Sequence, residues 1–357
     1  MQPVDVLVVG AGQAGLAAGY HLRSSGLTYL IVDANQRIGD SWRRRYRSLT
    51  LFTPRQFSSL PDLPMPGNRE QYPTRDEFAD YLESYATACR LPIRIGARVS
   101  RLRRQRDGRF EAAFADGSVA TARAVIIATG GFQLPLVPEV ARGFSDEVTQ
   151  ITAESYRDPS QIADGRVLVV GDGASGRDIA AELAPLRETW LATGKPRLLF
   201  PERILSKSVW WWLALSGLLC APEDSFFGRM LKKNDAFPDR DRSVESLKRF
   251  GVRVVGRLTH AGGSGATFGD GHRADIRTVI WAVGYRDDTG WVDIAEAKDS
   301  RGAFAHTEGV SPVPGIYFVG RPWQRNRASA LVMGAGADAE RIVSRIRETV
   351  RGKLAGV

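Results

Sequence analysis

The chain has 357 residues, 43% of them hydrophobic and 25% charged. That length suits two domains or one large one, and the composition excludes disordered, collagen-like and coiled-coil chains. Its 49 basic and 40 acidic residues leave a net charge of +9, but the charges are dispersed. The two densest runs, Arg43-Arg44-Arg45 with Arg47 and Arg101 to Arg106, lack the interleaved aromatics of a single-strand nucleic-acid platform. They read as solvated or phosphate-facing surface, and no nucleic-acid partner is expected. Cys89 and Cys220 stand too far apart for a C-x-x-C pair, a zinc knuckle or a disulfide framework. His21, His260, His272 and His306 fall at no metal-ligand spacing, so no metal is expected.

Val4 to Val9 is a β-branched run closed by Gly10-Ala11-Gly12-Gln13-Ala14-Gly15, and Leu16 to Ser25 then has helical composition ending at Gly26. Leu27 to Val32 is a second apolar run, and it ends in Asp33. Strand, glycine turn, helix, strand and acid in this order form a dinucleotide-binding unit. Gly10 permits the tight turn, Gly12 lets backbone approach a pyrophosphate, and Gly15 allows helix and strand to pack closely. The helix N-terminus faces the phosphate charge, and Asp33 accepts from ribose hydroxyls. A first strand beginning by Val4 leaves no room for a secretory leader.

The pattern recurs at Val167 to Val170, followed by Gly171-Asp172-Gly173-Ala174-Ser175-Gly176, a helix from Arg177 to about Leu186 and a strand from Thr189 to Thr193. Gly171, Gly173, Ser175 and Gly176 are therefore candidates for a second nucleotide. This strand ends without an acid, at Gly194-Lys195-Pro196-Arg197. Lys195 and Arg197 suit an additional phosphate, which leans the second site to NADP, whereas Asp33 suits an unphosphorylated adenosine at the first. The alternative is that Lys195 and Arg197 are exposed loop charges.

Between these units and after the second, Ala124 to Gly131 and Val279 to Tyr285 each run apolar into a small-residue turn. The simplest organisation inserts the second unit into the first. Residues 1–134 and 288–357 then form one discontinuous domain and 135–287 the other, with a Trp-rich insertion at about 205–235. Its most apolar stretch, Val209 to Ala221, falls short of the roughly 20 residues that span a bilayer. The expected location is the cytoplasm, without a transmembrane segment. Gly315 to Gly320 reads as a last buried strand, and Ala335 to Arg351 as a closing helix with Ala339, Ile342, Val343, Ile346 and Val350 on one face.

The order of first fingerprint, Gly39-Asp40-Ser41-Trp42, Ala128-Thr129-Gly130, second fingerprint and Ala282-Val283-Gly284-Tyr285 resembles the two-dinucleotide-domain flavoproteins. Gly39 to Pro54 with Tyr72-Pro73 narrows the resemblance to the class B flavin-containing monooxygenases. It implies an α/β fold of two nested Rossmann-like FAD- and NAD(P)-binding domains, of the three-layer ββα type. It also implies FAD at the first site, NADPH (or NADH) at the second and O2 as co-substrate, with one oxygen passing from a flavin C4a-(hydro)peroxide to a small or aromatic substrate. Nitrogen or sulfur oxygenation and Baeyer–Villiger attack are the candidate reactions. Trp42, Ala128, Thr129, Gly130, Ser329 and Leu331 join Gly10, Gly12, Gly15 and Asp33 as flavin contacts, and Lys195 joins the second set.

Two positions depart from the family pattern. The Phe-x-Gly-x-x-x-His signature is framed by Phe144 and Tyr156, but Asp146 replaces its glycine and Thr152 stands at its histidine. Thr152 is accordingly the one candidate catalytic donor, an ordinary loop threonine being the alternative. Phe52 stands where the family carries an asparagine, and it has nothing to donate. These changes keep a second function open, an NAD(P)H oxidase or reductase that releases hydrogen peroxide or passes electrons to a partner. A third is a non-catalytic binding protein on a nucleotide fold. The insertion, with Trp210, Trp211 and Trp212, is read as a cap over the flavin, a core helix or a homodimer face; with Lys207, Lys232 and Lys233 it would make weak membrane-surface contact.

Overall fold

Alternation along the opening strand sets the first layer of the fold. In this computed structural model, which describes residues 2–234 and 237–354, Val4–Val9 sends Val6 and Val8 to one core and Leu7 and Val9 to another. Its parallel neighbours are Tyr29–Val32 on one edge and Val119–Ile127 on the other; Ile93–Arg94 and Ile316–Phe318 extend the parallel set. Val6 and Val8 meet the helices Gln13–Arg23, Arg75–Ala88 and Val332–Leu354, whereas Leu7 and Val9 meet an antiparallel meander. That meander comprises Val99–Arg104, Phe110–Phe114 and the first half of Val119–Ile127. Helix, parallel sheet and meander are the three layers.

The second unit repeats the plan. Arg253–Val255, Thr189–Ala192, Val167–Val170, Thr278–Trp281 and Thr149–Thr152 are parallel in that order. Ala174–Leu183 covers one face, and the meander Leu258–Gly262, Gly265–Phe268 and Arg273–Asp275 lies against the other. The chain passes between the units at Leu134–Pro135 and Tyr285–Arg286, which pair antiparallel. Gln133 ties the crossings together: its amide donates to the Thr129 hydroxyl and the Gly130 carbonyl, both at 2.7 Å, and its Oε1 accepts from Asp288 N–H at 2.7 Å. Met1 and 355–357, at the ends of the expected first domain, and position 235, at the end of the expected insertion, lie outside the described residues.

Both dinucleotide helices begin a few residues before the helical composition becomes obvious, at Gln13 and Ala174, because each starts directly on its glycine turn. The closing helix likewise begins at Val332. Arg75–Ala88 and the two meanders are additional elements. The helix carries a capping box, in which Thr74 accepts from Glu77 N–H and Glu77 accepts from Thr74 N–H. Arg101 to Arg106 belongs to the meander, with Arg101 paired to Asp293 and Arg103 to Glu111. The arginines of that run are exposed surface, and Leu102 between them is buried.

The helix faces of the two units meet across a carboxylate. Asp178, 11% exposed, accepts from Arg240 at 2.8 Å, Arg242 at 3.0 Å and the Tyr46 hydroxyl at 3.2 Å. Arg240 also donates to the Thr50 hydroxyl at 2.6 Å, carrying the bridge into the first unit. Burial, and then the Asp178 charge, push the Tyr46 phenol up, so it remains a donor. Asp178→Asn would leave two arginines facing each other without their counter-ion. It is expected to cost about 2 kcal/mol, read as a lower unfolding midpoint. Asp164→Asn, at a 97% exposed partner of Arg187, should change stability by less than about 0.5 kcal/mol.

Candidate active site

At the first turn the chain packs backbone against backbone. A Cβ on Gly15 would sit 1.7 Å from the Gly10 carbonyl oxygen, and one on Gly10, whose φ is +109°, would sit 2.5 Å from the Ala128 carbonyl oxygen. Neither position tolerates a side chain. Gly12 is different: a Cβ there meets nothing within 4 Å. The turn is therefore closed on its inner side and open at Gly12, where a helix begins with no side-chain cap on its first N–H groups. Asp33 reaches this turn from the end of the second strand, accepting from Ala11 N–H at 2.7 Å and from Asn35 at 2.8 Å. An open, anion-seeking turn beside a fixed carboxylate fits the pyrophosphate and ribose of a dinucleotide such as FAD.

The second turn copies the first. Gly171 has φ +107° and would meet the Ala282 carbonyl oxygen at 2.4 Å; Gly176 would meet the Gly171 carbonyl oxygen at 1.8 Å. The helix starting after Gly173 again has no side-chain cap, and Ser175 lies in its first turn. This arrangement fits a second dinucleotide. Lys195 is exposed in the loop beyond the following strand. Arg197 folds back toward the turn, with Nη2 4.0 Å from the Cβ position of Gly173 and Nε 3.3 Å from buried Asp172.

Trp42 packs edge-on to Phe78, ring centroids 4.9 Å apart, and its indole N–H donates to Gln13 in the first dinucleotide helix at 3.3 Å. Ala128, Thr129 and Gly130 follow the central strand directly, with Ala128 N–H donating to the Val9 carbonyl at 2.8 Å. Ser329 and Leu331 are buried in and just after a short turn, Arg327–Ala330, that Asn326 caps. Above that turn lies an apolar cluster of Val209, Trp210, Leu219, Ala328 and Leu331, flanked by Phe52, Phe57 and Met333. Trp210 stacks on Phe52 with centroids 6.0 Å apart and donates to the Phe52 carbonyl at 2.6 Å. Within the helix Val209–Leu215, Trp210 thus faces inward, leaving Leu215 and, further along, Phe226 and Phe227 on the outside.

Thr152 ends the edge strand of the second sheet. Its hydroxyl lies 3.1 Å from the Ser155 hydroxyl and accepts from Ser155 N–H at 3.3 Å. The aromatics framing the altered signature are core residues: Phe144 packs on Trp281, and Tyr156 is fully buried with its hydroxyl donating to Glu182 at 2.9 Å. Arg45 is an addition to the residues picked out by motif. It donates to the Tyr285 hydroxyl at 2.9 Å and lies 5.2 Å from the centroid of the Phe132 ring, which locks the first unit onto both crossings. Its place three residues past Trp42 is invisible as a contact until the chain has returned at Tyr285.

Residues 7–193 match the family model described as pyridine nucleotide-disulphide oxidoreductase. An uncharacterized oxidoreductase CzcO-like protein of Geobacillus kaustophilus is 42% identical over 96% of this chain and 98% of that one. An indole-3-pyruvate monooxygenase, YUCCA1 of Oryza sativa, is 27% identical over 88% of this chain and 86% of its own. A flavin-containing monooxygenase from Stenotrophomonas maltophilia superposes with a TM-score of 0.83 at 29% identity, covering 98% of this chain and all of that one. The chain belongs to the pyridine nucleotide-disulphide oxidoreductase family, and within it to the class B flavin-dependent monooxygenases. It is a flavin-dependent oxidoreductase. The flavin monooxygenases of this family use FAD, NADPH and O2. Among the described residues both cysteines are free, Cys89 buried and Cys220 exposed, and no helix is long and apolar enough to cross a membrane.

Two glycine substitutions separate folding from cofactor binding. Gly15→Ala forces a methyl group into a carbonyl and is expected to cost upwards of about 4 kcal/mol, seen as loss of folded protein. Gly12→Val has an allowed backbone and open space. The apoprotein should unfold near the wild-type temperature, yet titration with FAD should no longer restore flavin absorbance.

Proposed function

We propose that this chain is an FAD-dependent monooxygenase that draws electrons from NADPH, or less readily NADH, and places one atom of O2 on a small apolar or aromatic substrate. Residues 1–134 and 288–357 would hold FAD, and 135–287 the pyridine nucleotide. When bound, the flavin supplies the two-electron chemistry with oxygen, which leaves the protein to bind, orient and shield. Gly10, Gly12 and Gly15 with the helix behind them would receive the FAD pyrophosphate, and Asp33 the ribose. Trp42, Ala128, Thr129, Gly130, Ser329 and Leu331 would line the remainder. Gly171, Gly173, Ser175 and Gly176 would receive the second pyrophosphate, with Lys195 near its adenosine end.

The observation that carries this reading is the cover of Phe52, Trp210, Leu219 and Leu331 over the turn that precedes the closing helix. Oxygen activation needs a site from which water is excluded, and this cover is made of side chains that exclude it. Its stacked Phe52 and Trp210 rings favour a flat apolar substrate; one relative is named for an indole-bearing acid. Nitrogen or sulfur oxygenation and Baeyer–Villiger attack on a ketone all remain within such a pocket's chemistry.

A second reading, an NAD(P)H oxidase or reductase, is favoured by the polar groups. Phe52 has no side-chain donor, its carbonyl is taken by Trp210, and the Thr152 hydroxyl is engaged by Ser155. Incubation with NADPH and O2 across amines, thioethers and ketones decides between them, product and hydrogen peroxide being measured per NADPH consumed. At least one substrate should give oxygenated product. Peroxide equal to NADPH with every substrate would leave the oxidase. Trp210→Leu, which thins the cover, should raise the peroxide share roughly threefold or more at unchanged FAD content.

A further inference from the structure

Two hydroxyl groups stand unpartnered at the edge of the apolar cover. Among the described residues, no partner meets the Tyr72 hydroxyl or the Ser208 hydroxyl at hydrogen-bond geometry, and both oxygens are buried. Ser208 is 0% exposed. It stands at the start of the helix Val209–Leu215, yet its side chain caps none of that helix's N–H groups. Its backbone N–H donates to Glu70 at 3.4 Å, and the hydroxyl is left over.

Both residues belong to segments that build the cover. Thr50 pairs antiparallel with Thr74, and Leu51 N–H donates to the Pro73 carbonyl at 2.9 Å, so the register sets Tyr72 across from Phe52. Ser208 directly precedes Val209 and Trp210, both buried in the cover. Val209 N–H donates to the Glu202 carbonyl at 2.9 Å, and the Glu202 carboxylate faces Tyr72, which joins the two segments. A buried hydroxyl without a partner costs stability, and a ligand that supplies the partner recovers it. Burial, and then the Glu202 charge, push the Tyr72 phenol up, so it stays protonated and able to donate. Arg203 and Arg240 also face the phenol, each already paired, Arg203 with Glu70 and Arg240 with Asp178. With both signs of charge nearby and an apolar cover above, an ionic ligand group would lose its hydration without a dedicated counter-ion.

We propose that Tyr72 and Ser208 are specificity-determining residues whose hydroxyls donate to a neutral acceptor group on a flat apolar substrate held beneath Phe52 and Trp210. The proposal rests on the cover being the substrate site. Equilibrium dialysis of the FAD-loaded protein against acetophenone, ethylbenzene, benzoate and benzylamine tests it without turnover. Acetophenone and ethylbenzene have nearly one shape and differ in the carbonyl acceptor. Tyr72→Phe and Ser208→Ala should each weaken acetophenone by about fivefold while leaving ethylbenzene within about twofold of wild type. Wild type should bind benzoate and benzylamine about tenfold or more weakly than acetophenone.

Thermal unfolding supplies a second readout that needs no substrate. Tyr72→Phe keeps the ring across from Phe52, and Ser208→Ala removes no helix cap. Each variant deletes a buried hydroxyl that the fold does not satisfy, so both should unfold at or above the wild-type midpoint. A midpoint lowered by more than about 3 °C would mean that the hydroxyl is bonded within the folded protein, and would overturn the proposal. Equal weakening of acetophenone and ethylbenzene, or tighter binding of either ion than of acetophenone, would overturn the role of the two hydroxyls while keeping the cover as the substrate site. A wild type that binds none of the four probes would overturn both.

Discussion

At Gly10–Gly15 and again at Gly171–Gly176, backbone packs on backbone at distances that no side chain survives. The carbonyl of the first glycine occupies the space a Cβ on the last would need, at 1.7 Å in one copy and 1.8 Å in the other. That single steric condition brings strand, turn and helix into one fixed relation, and the rest of the molecule is arranged around its two occurrences. It orients the helix starts, leaves Gly12 open, and sets the carbonyls of Ala128 and Ala282 against the turns. The two small-residue segments that follow the central strands are thereby tied to the sites that the glycines create.

Nesting one unit inside the other demands a second kind of interaction, since two chain crossings alone leave room for rotation. Polar groups supply it: Gln133 joins the crossings, Arg45 clasps Tyr285, and Asp178 gathers Tyr46, Arg240 and Arg242. These groups are partly buried and mutually satisfied, the condition under which charged contacts fix orientation. Directional contacts here do what apolar packing, indifferent to rotation, does less well. The segment they hold, Tyr46 to Phe52, also carries one wall of the apolar cover.

How much of this is legible in the sequence depends on the range of each interaction. The opening strand, both fingerprints and the closing helix are local patterns of period and glycine spacing, and they stand in the structure close to where the pattern places them. The helix Arg75–Ala88 also carried a local signal, Thr74 with Glu77, but a capping box is short and common. The meanders are half-exposed strands whose alternation is broken by arginines, as in Val99–Arg104. Nothing local announces Asp178 with Tyr46, 132 positions apart, or Arg240 with Thr50, 190 apart. The insertion shows a different limit. Its three adjacent tryptophans are equivalent in composition, and only the packing of Phe52 and Leu331 selects Trp210 as the one that turns inward.

The duplicated scaffold also explains why the two sites can serve unlike ligands without unlike folds. Steric conditions at the glycines are the same in both copies, so shape alone discriminates little between one dinucleotide and another. Charge placement is what differs. A carboxylate at the strand end, as at Asp33, offers acceptors to hydroxyl groups and repels an added phosphate. In the second copy the carboxylate lies in the turn itself, where Asp172 meets Arg177 and Arg197. The exchange costs no change in backbone, because the position between the two glycines has a side chain in both copies. The two turns thus share one backbone geometry and differ in local charge.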